Sequence, residues 1–368
     1  MARITVSPAD NKLSAFVEFP YKLHAQEKCW VPEFKADVKD LLSPSHPFRK
    51  TGSINLFLAE RDGKTVGRIA AIVNNSHNAI HNEKCGFFGF FECENDAETA
   101  KALISGAKEF LKARGMDIFR GPVNPSTNYS CGLLIEGNDL PPMMMMPWNP
   151  PYYAQLMQDC GLEKAKDLLA FIRKTDGNMS DRLLKILARI ERKGFKIRPF
   201  DINQLDREIT IMREIYNDAW SENWGFVPLT AEEVEHDAKN LKLILKPGHG
   251  SVIDVEGEPA GVCLALPDVN LAMAKTKGSL NPLNIIPFLW TLKHLTQSRL
   301  ITLGVKKKFR NLGLDLLLVR NVIESAKIYN WTHGELGWIL EDNAKIISVI
   351  EEAGGTPYKR LRIYQSAL

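Results

Sequence analysis

The feature that most constrains the fold is an internal repeat of two strands joined by an acidic, glycine-containing turn. FLAERDGKTVGRIAAIVN, residues 57–74, is echoed by SVIDVEGEPAGVCLALPDVN, residues 251–270, with Gly67 and Gly261 at the matching point. At nearly the same offset, the Trp30-Val31-Pro32 step corresponds to residues 224–228, and residues 156–172 resemble residues 349–365. Three matched landmarks in one order predict a duplicated chain.

Each half also carries a strand that leads into a long helix, in residues 87–115 and 300–330. Asp96 is the predicted N-cap of the first helix, because a carboxylate there accepts hydrogen bonds from unpaired backbone N–H groups. Both helices show an apolar stripe at helical spacing. Each half is therefore predicted to be helix, hairpin, strand, helix, strand, helix, strand, which is an α+β unit with a mixed sheet.

A polar turn at residues 175–178 marks the predicted domain boundary. The predicted domains are residues 1–175 and residues 176–368, in line with the size at which a single hydrophobic core stops growing. The second half has an extra apolar segment, residues 272–299, before its central strand. Two interpretations of that segment stay open: a small covering helix, or the lining of a tunnel for an acyl chain or an acceptor.

The bulk composition excludes several classes of protein. A formal net charge of +3 over 368 residues is too small for a nucleic-acid-binding surface. The six cysteines stand singly, which is typical of reduced thiols in the cytoplasm. The first residues lack a signal-peptide core and no apolar run could span a bilayer, so we expect a cytoplasmic protein without an integral membrane segment.

The second helix begins just after a cluster of cations, Lys306, Lys307, Lys308 and Arg310. Cations at a helix N-terminus repel its partial positive charge unless an anion lies between them, and phosphate is the usual ligand. Gly313 would let the backbone approach a diphosphate closely. The corresponding stretch of the first half, ECENDAE, is acidic. Only the second half is predicted to bind an anion.

The run from Val305 through Arg310 and Gly313 to Leu314, followed by Asn343, resembles the acyl-CoA-binding signature of the GNAT superfamily, the GCN5-related N-acetyltransferases. The resemblance implies two GNAT-like domains, a degenerate first one and a second one that binds acetyl-CoA or another acyl-CoA. The residues that it assigns to the acyl-CoA are Gly304, Val305, Lys306, Lys308, Phe309, Arg310, Asn311, Leu312, Gly313, Leu314 and Asn343.

The same resemblance implies direct transfer of the acyl group from the thioester to an amine. The amine must lose a proton and the oxyanion needs a donor, for which the backbone of Gly304 and Val305 is the candidate. Glu335 and Tyr358 are the candidate catalytic residues for the proton, with a solvated carboxylate and a packing tyrosine as the alternatives. Asp315 stands where the family has Gly or Ala, and Ile350 where many members have a tyrosine.

An unusual stretch of the first half, residues 119–156, combines amide and aromatic side chains with four consecutive methionines. We expect it to form part of an acceptor pocket facing the second half, and turn chemistry is the alternative. The candidate substrate-binding residues are Asn124, Asn128, Tyr129, Trp148, Asn149 and Tyr152. His77, His81 and Cys85 lack a fourth ligand, so no metal site is predicted.

The sequence thus favours an acyl-CoA-dependent N-acyltransferase that moves an acetyl or longer acyl group to the amine of a small-molecule or lipid-like acceptor. Two alternatives stay open: a non-catalytic protein that binds CoA or another ligand on a GNAT fold, and an aminoacyl-transfer enzyme of similar tandem architecture. The low net charge disfavours tRNA as a partner. Whether the protein forms a homodimer is open.

Overall fold

The computed structural model of the chain describes residues 3–368, apart from the side chain of residue 240. Its contacts group the residues into two compact units. The first unit contains the residues up to Leu168 together with Asn270–Lys293 and Lys359–Leu368, and the second contains Leu169–Val269 and His294–Tyr358. The sequence-based division between residues 175 and 176 stays a prediction.

The first unit has a mixed sheet with helices against it. Its strands are β1 (Ile4–Pro8), β2 (Gly52–Arg61), β3 (Lys64–Asn74), β4 (Cys85–Cys93), β5 (Ile118–Gly121), β6 (Val123–Asn124), β7 (Ser130–Cys131), β8 (Leu133–Glu136) and the first part of β9 (Glu163–Lys174). Its helices before Leu168 are α1 (Leu13–Leu23), α2 (Lys35–Leu42), α3 (Asn75–His81), α4 (Ala97–Lys112) and α5 (Tyr152–Asp159). Strands β1 to β4 pair antiparallel, and β4 pairs parallel with β5.

The second unit repeats this plan. Its helices are α6 (Asp181–Glu191), α7 (Leu205–Trp220), α8 (Ala231–Ile244), α11 (Leu314–Ile328) and α12 (Ala344–Glu352). Two helices of the intervening segment, α9 (Asn270–Met273) and α10 (Ile285–Lys293), belong to the first unit. Its strands are β10 (Lys196–Pro199), β11 (Gly250–Val255), β12 (Glu258–Pro267), β13 (Gln297–Val305), β14 (His333–Leu340) and the start of β15 (Gly355–Ala367). Strands β10 to β13 pair antiparallel, and β13 pairs parallel with β14.

Helix α4 covers the first unit's core as the sequence predicts. Its N-cap Asp96 accepts a hydrogen bond from the backbone N–H of Thr99, and its own residues Leu103, Ala107 and Leu111 are buried in the core. In the second unit, α11 buries Leu314 and neighbouring leucines of its predicted stripe against β12 and β13. The predicted α+β class, with a mixed sheet flanked by helices in each unit, is confirmed.

The two repeat glycines occupy equivalent places. A Cβ atom on Gly67 would lie 2.7 Å from Cδ1 of Leu103 on α4 and 3.1 Å from the carbonyl oxygen of Glu92 on β4. A Cβ atom on Gly261 would lie 3.2 Å from Cδ1 of Leu318 on α11 and 3.2 Å from the carbonyl oxygen of Gly304 on β13. In each unit a glycine lets the long helix pack closely over the hairpin strand that carries the glycine, β3 or β12, which supports the predicted duplication.

Candidate active site

The second unit opens between its two parallel strands. The ladder between β13 and β14 runs from Gln297 paired with His333 to Leu300 paired with Leu336, although both strands continue beyond it. On the side that pairs with β12, β13 has a bulge at Ile301. Thr302 pairs with Leu264 and Leu300 pairs with the adjacent Ala265, so Ile301 has no partner in this register. Bulges of this kind often lie beside active sites, where they redirect the backbone. Strands β13 and β14 therefore separate from Ile301 onward.

The backbone of β13 beyond this bulge presents N–H groups to the opening. The N–H of Lys306 donates to the carbonyl oxygen of Ala260, 2.8 Å away, on the β12 side. Because backbone groups alternate sides along an antiparallel strand, Gly304 also faces β12, whereas Leu303 and Val305 face the β14 side. Of the two predicted oxyanion donors, Val305 faces the β14 side and Gly304 faces β12, and the role of each stays a prediction.

The basic loop after β13 is tied to the end of α7. It forms a short 3-10 helix, Lys307–Leu312, and α11 begins after Gly313, whose φ is 80°. The backbone N–H of Lys307 donates to Oδ2 of Asp218 at 2.6 Å, and Nη2 of Arg310 donates to the carbonyl oxygen of Ala219 at 2.6 Å. These bonds fix the loop next to the end of β13.

Two glutamates neutralise the cations of this loop. Glu258 lies 3.0 Å from Nζ of Lys306 and 2.5 Å from Nζ of Lys308, while Glu222 lies 3.0 Å from Nζ of Lys307 and 3.4 Å from Nη1 of Arg310. Hydrogen bonds from Lys308 and Lys306 lower the pKa of Glu258, and the bond from Lys307 does the same for Glu222. Both carboxylates are accessible to solvent, so an incoming anion can replace them.

The remaining residues of the acyl-CoA prediction have several different environments. A Cβ atom on Gly313 would lie 2.3 Å from Cδ1 of Ile190 on α6, so this position requires glycine for packing as well as for its φ. Leu314 is fully buried, Phe309 and Leu312 pack against the same core, and Asn311 is exposed. Asn343 caps α12 by accepting from the backbone N–H of Ile346 at 3.3 Å. Their role in binding stays a prediction.

The structure brings the two predicted catalytic residues together. Glu335 on β14 is completely buried and accepts a hydrogen bond from the hydroxyl of Tyr358. Nε of Arg299 lies 2.8 Å from Oε1 of Glu335, and the two residues are directly paired across β13 and β14. Burial, followed by the Glu335 charge, raises the pKa of Tyr358 far above its ordinary range. The hydroxyl therefore stays protonated at neutral pH.

Arg299 was missed by the sequence reasoning. Its side chain is buried, forms the ion pair with Glu335, and donates from Nη2 to the carbonyl oxygen of Gly337 at 2.8 Å. One sequence signal could have found it: a lone arginine and a lone glutamate, each within a predicted parallel strand, become neighbours if the two strands pair in register.

In the first unit, the corresponding opening is filled by the chain itself. The β4–β5 ladder ends at Phe87 paired with Arg120, and Phe90 beyond it has a φ of 50°. Its backbone N–H donates to Oδ1 of Asn124 at 2.7 Å. A Cβ atom on Gly89 would lie 2.2 Å from the carbonyl oxygen of Val123. Asn124 thus occupies the place between the strands that is open in the second unit.

Most of the other candidate acceptor residues make hydrogen bonds within the first unit. The side chain of Asn149 accepts from the backbone N–H of Leu134 at 2.7 Å and donates to the carbonyl oxygens of Leu134 and Pro150, both at 3.0 Å. Trp148 donates to the carbonyl oxygen of Asn138 at 2.8 Å, and Tyr152 to that of Cys93 at 2.8 Å. These bonds organise the segment itself.

Asn128 and Tyr129 are half-buried in a turn, with the Tyr129 ring centroid 6.1 Å from that of His46. The contribution of this segment to an acceptor pocket stays a prediction.

The structure also shows a polar cluster around Glu92, whose Oε2 lies 2.7 Å from Nε2 of His24 and accepts a hydrogen bond from the hydroxyl of Tyr153 at 2.7 Å. The three residues are far apart in the sequence, which gave no signal for their contact.

The segment of His77, His81 and Cys85 is partly helical, and His77 and Cys85 are buried. Ligand atoms of His77, Glu83 and Cys85 lie within 4.8 Å of one another. Glu83 is ion-paired with Arg120 at 2.8 Å, while burial lowers the pKa of His77 to about 4 and raises that of Cys85 to about 12. Arginine competes with a cation for that carboxylate. The prediction of no metal stays a prediction.

Comparison with solved structures identifies the fold. A tandem GNAT protein from the clavulanic acid biosynthesis pathway matches with a TM-score of 0.56 and 12% identity, over 99% of this chain and 98% of that one. A GCN5-related N-acetyltransferase from Sphaerobacter thermophilus matches with a TM-score of 0.52 and 12% identity, over 99% and 95%. No family model matches the sequence. The predicted fold, two GNAT-like units in tandem, is confirmed.

Two curated relatives cover nearly the whole chain. Bacterial ceramide synthase from Caulobacter vibrioides is 34% identical over 377 aligned residues, which cover 100% of this chain and 98% of that protein. Protein YghO from Escherichia coli is 32% identical over 365 residues, which cover 97% and 93%. The chain belongs to the family of these two proteins. The predicted general class, an acyltransferase enzyme, is confirmed. Within residues 3–368, none of the helices combines the length and apolarity needed to cross a membrane.

We expect Asn149→Ala to lower the free energy of unfolding by about 2–3 kcal/mol, because it removes three hydrogen bonds, one of which satisfies the buried backbone N–H of Leu134. Urea unfolding followed by circular dichroism measures the effect. Asn203→Ala, at an exposed asparagine, is the control and should remain within about 0.5 kcal/mol of the wild type. Equal stability of the two variants would contradict the role of the Asn149 side chain.

Proposed function

We propose that this chain is an acyl-CoA-dependent N-acyltransferase that joins a long-chain acyl group to the amine of a long-chain amino alcohol. The observation that carries acyl transfer is the parting of β13 and β14 beside a basic helix N-terminus. The acceptor class is supported by the relative named bacterial ceramide synthase, which is 34% identical along its whole length. Ceramides are amides of this type of base.

The basic loop is the proposed site of the CoA diphosphate. Its four cations are held by two solvent-accessible carboxylates, Glu222 and Glu258, which a diphosphate would replace. The N-terminus of α11 adds a partial positive charge at the same place. Arg310 is the residue best suited to a phosphate, because a guanidinium offers several N–H donors in one plane.

The thioester would then lie along the opened edge of β13. The amine nitrogen attacks the thioester carbonyl, and the N–H of Val305 donates to the oxygen that becomes negative. When the tetrahedral intermediate collapses, the C–N bond stays, the C–S bond breaks, and the CoA thiolate takes up a proton from water, while the proton that the amine released returns to solvent. No covalent bond to the protein is needed, since the acceptor attacks directly.

Tyr358 and Glu335 supply the proposed route for the proton of the amine. The Tyr358 hydroxyl donates to Glu335, so its oxygen can accept a proton from the amine while its own proton moves to the carboxylate. Arg299 holds Glu335 in place through the ion pair at 2.8 Å. Tyr358 is the half-buried member of the set and Glu335 the fully buried one. In this scheme Tyr358 contacts the acceptor, and Arg299 is a positioning residue.

The activity is tested with purified protein, acetyl-CoA or palmitoyl-CoA, and two amines, sphinganine and ethanolamine. We expect release of free CoA thiol and formation of the long-chain amide from palmitoyl-CoA and sphinganine, both measured by mass spectrometry. CoA binding without turnover of any pair would instead make the protein a non-catalytic CoA-binding member of the fold. Turnover of ethanolamine alone would retain acyl transfer and remove the proposed acceptor class.

Arg310→Gln should weaken CoA binding roughly tenfold, because it removes a charge-assisted hydrogen bond to phosphate. Glu222→Gln should strengthen binding, because the same cations then lack one competing carboxylate. Isothermal titration calorimetry with CoA measures both affinities. Arg320→Gln, on the exposed side of α11, is the matched control. An Arg310→Gln affinity equal to that of the control would place the diphosphate elsewhere.

Tyr358→Phe should lower kcat about a hundredfold without changing CoA affinity, because it removes the proton path and leaves the basic loop intact. Steady-state kinetics with saturating acyl-CoA measure the effect. Tyr329→Phe, which removes a hydroxyl that donates to the carbonyl oxygen of Pro247, is the control. Equal kcat values in the two variants would show that Tyr358 is a packing residue.

A further inference from the structure

The segment Asn270–Lys293, hereafter the apolar insert, exposes a row of large apolar side chains. Helix α10 within it buries none of its residues. Leu283 is 90% exposed, Ile286 72% and Trp290 65%, and Leu280, Ile285 and Leu289 are exposed as well. Apolar patches of this kind on a protein surface mark contacts with a protein, a ligand or a membrane.

The apolar insert is nevertheless firmly attached to the first unit. Nδ2 of Asn270 donates to the carbonyl oxygen of Pro142 at 2.9 Å, and the carbonyl oxygen of Gly278 accepts from the N–H of Lys35 at 2.9 Å. The Phe288 ring lies on that of Phe34, with centroids 5.9 Å apart. One side of the insert is thus packed, while the other side is held outward in a defined place.

The charges of the apolar insert have one sign. No aspartate or glutamate occurs between Asn270 and Arg299, whereas Lys275, Lys277 and Lys293 are exposed around the apolar side chains. Cations that surround an apolar helix face complement an anionic lipid surface, and the lysine stems can lie along the apolar boundary while their ammonium groups contact headgroups. Tryptophan is enriched at the same depth of a bilayer.

We propose that the apolar insert docks this protein on the surface of an anionic lipid bilayer, with α10 lying in the plane of the interface. Nine residues form a helix of roughly 13 Å, which is too short to span a bilayer and suits a helix lying in its surface. This docking goes beyond the proposed acyl transfer and does not depend on it.

A second copy of the chain is the competing occupant. In a two-fold dimer the same patch meets itself, so Lys275, Lys277 and Lys293 would approach their own copies with no acidic residue in the segment to balance them. Like charges at such a contact oppose association. Anionic headgroups supply the missing charge, so the lipid surface is the occupant that the observations favour.

The test is co-sedimentation of the full chain with vesicles of phosphatidylcholine alone or with added phosphatidylglycerol. We expect binding to the anionic vesicles that weakens with salt, and at least about tenfold weaker binding for the double variant Leu283→Glu and Ile286→Glu. The matched control is Leu243→Glu with Ile328→Glu, two residues that are 82% and 75% exposed elsewhere on the surface. It should bind like the wild type.

Depth is measured separately, with brominated lipids that quench tryptophan fluorescence. Quenching should occur in the wild type and fall in Trp290→Phe, while circular dichroism shows that each variant is folded. Equal vesicle binding by both double variants, or no binding by the wild type, would overturn the proposal. So would a dimer, detected by light scattering, that is lost in Leu283→Glu with Ile286→Glu when no vesicle binding occurs.

Discussion

The buried ion pair between Arg299 and Glu335 links β13 and β14 at the edge of the second unit's opening. It lies within the last paired residues of β13 and β14, just before the bulge at Ile301. Removing one partner of such a pair costs about 3–5 kcal/mol, because the other charge is left buried without compensation. The pair therefore fixes the two strands at one end of the opening, and the tyrosine hydroxyl bonded to Glu335 is held there with them.

The two units use the same framework differently. Both have a glycine beneath the long helix and a parallel strand pair whose ladder is short. In the first unit, Asn124 bonds to the N–H of Phe90 and fills the space beside the central strand. In the second unit, the equivalent strand edge continues to a basic loop. Duplication provided two copies of one fold, and only the second retains an open strand edge next to cations.

Local patterns in the sequence were sufficient to predict much of this architecture. The repeat identified both hairpins, the stripe and Asp96 identified α4, and the lysines with Arg310 identified the loop. These features depend on residues close together in the chain, whose spacing follows from helix and strand geometry.

Contacts between distant residues could not be predicted in this way. The Arg299 ion pair, the Glu92 cluster and the filling of the first opening by Asn124 depend on how strands pair after folding. The exposure of α10 could not be predicted either, because an apolar run is compatible with a buried helix and with an exposed one. His77 lies in a helix whose N-cap is Asn74, and the sequence pattern gave no signal for that cap.

The two carboxylates that pair with the basic loop affect which anions could bind there. Glu222 and Glu258 each contact two cations, so an ion of single charge gains little by displacing either one. A ligand with several linked negative charges competes with both at once, because its second charge binds at a high effective concentration after the first. If the loop binds the CoA diphosphate as proposed, we therefore expect it to prefer anions with several linked charges to monovalent ones.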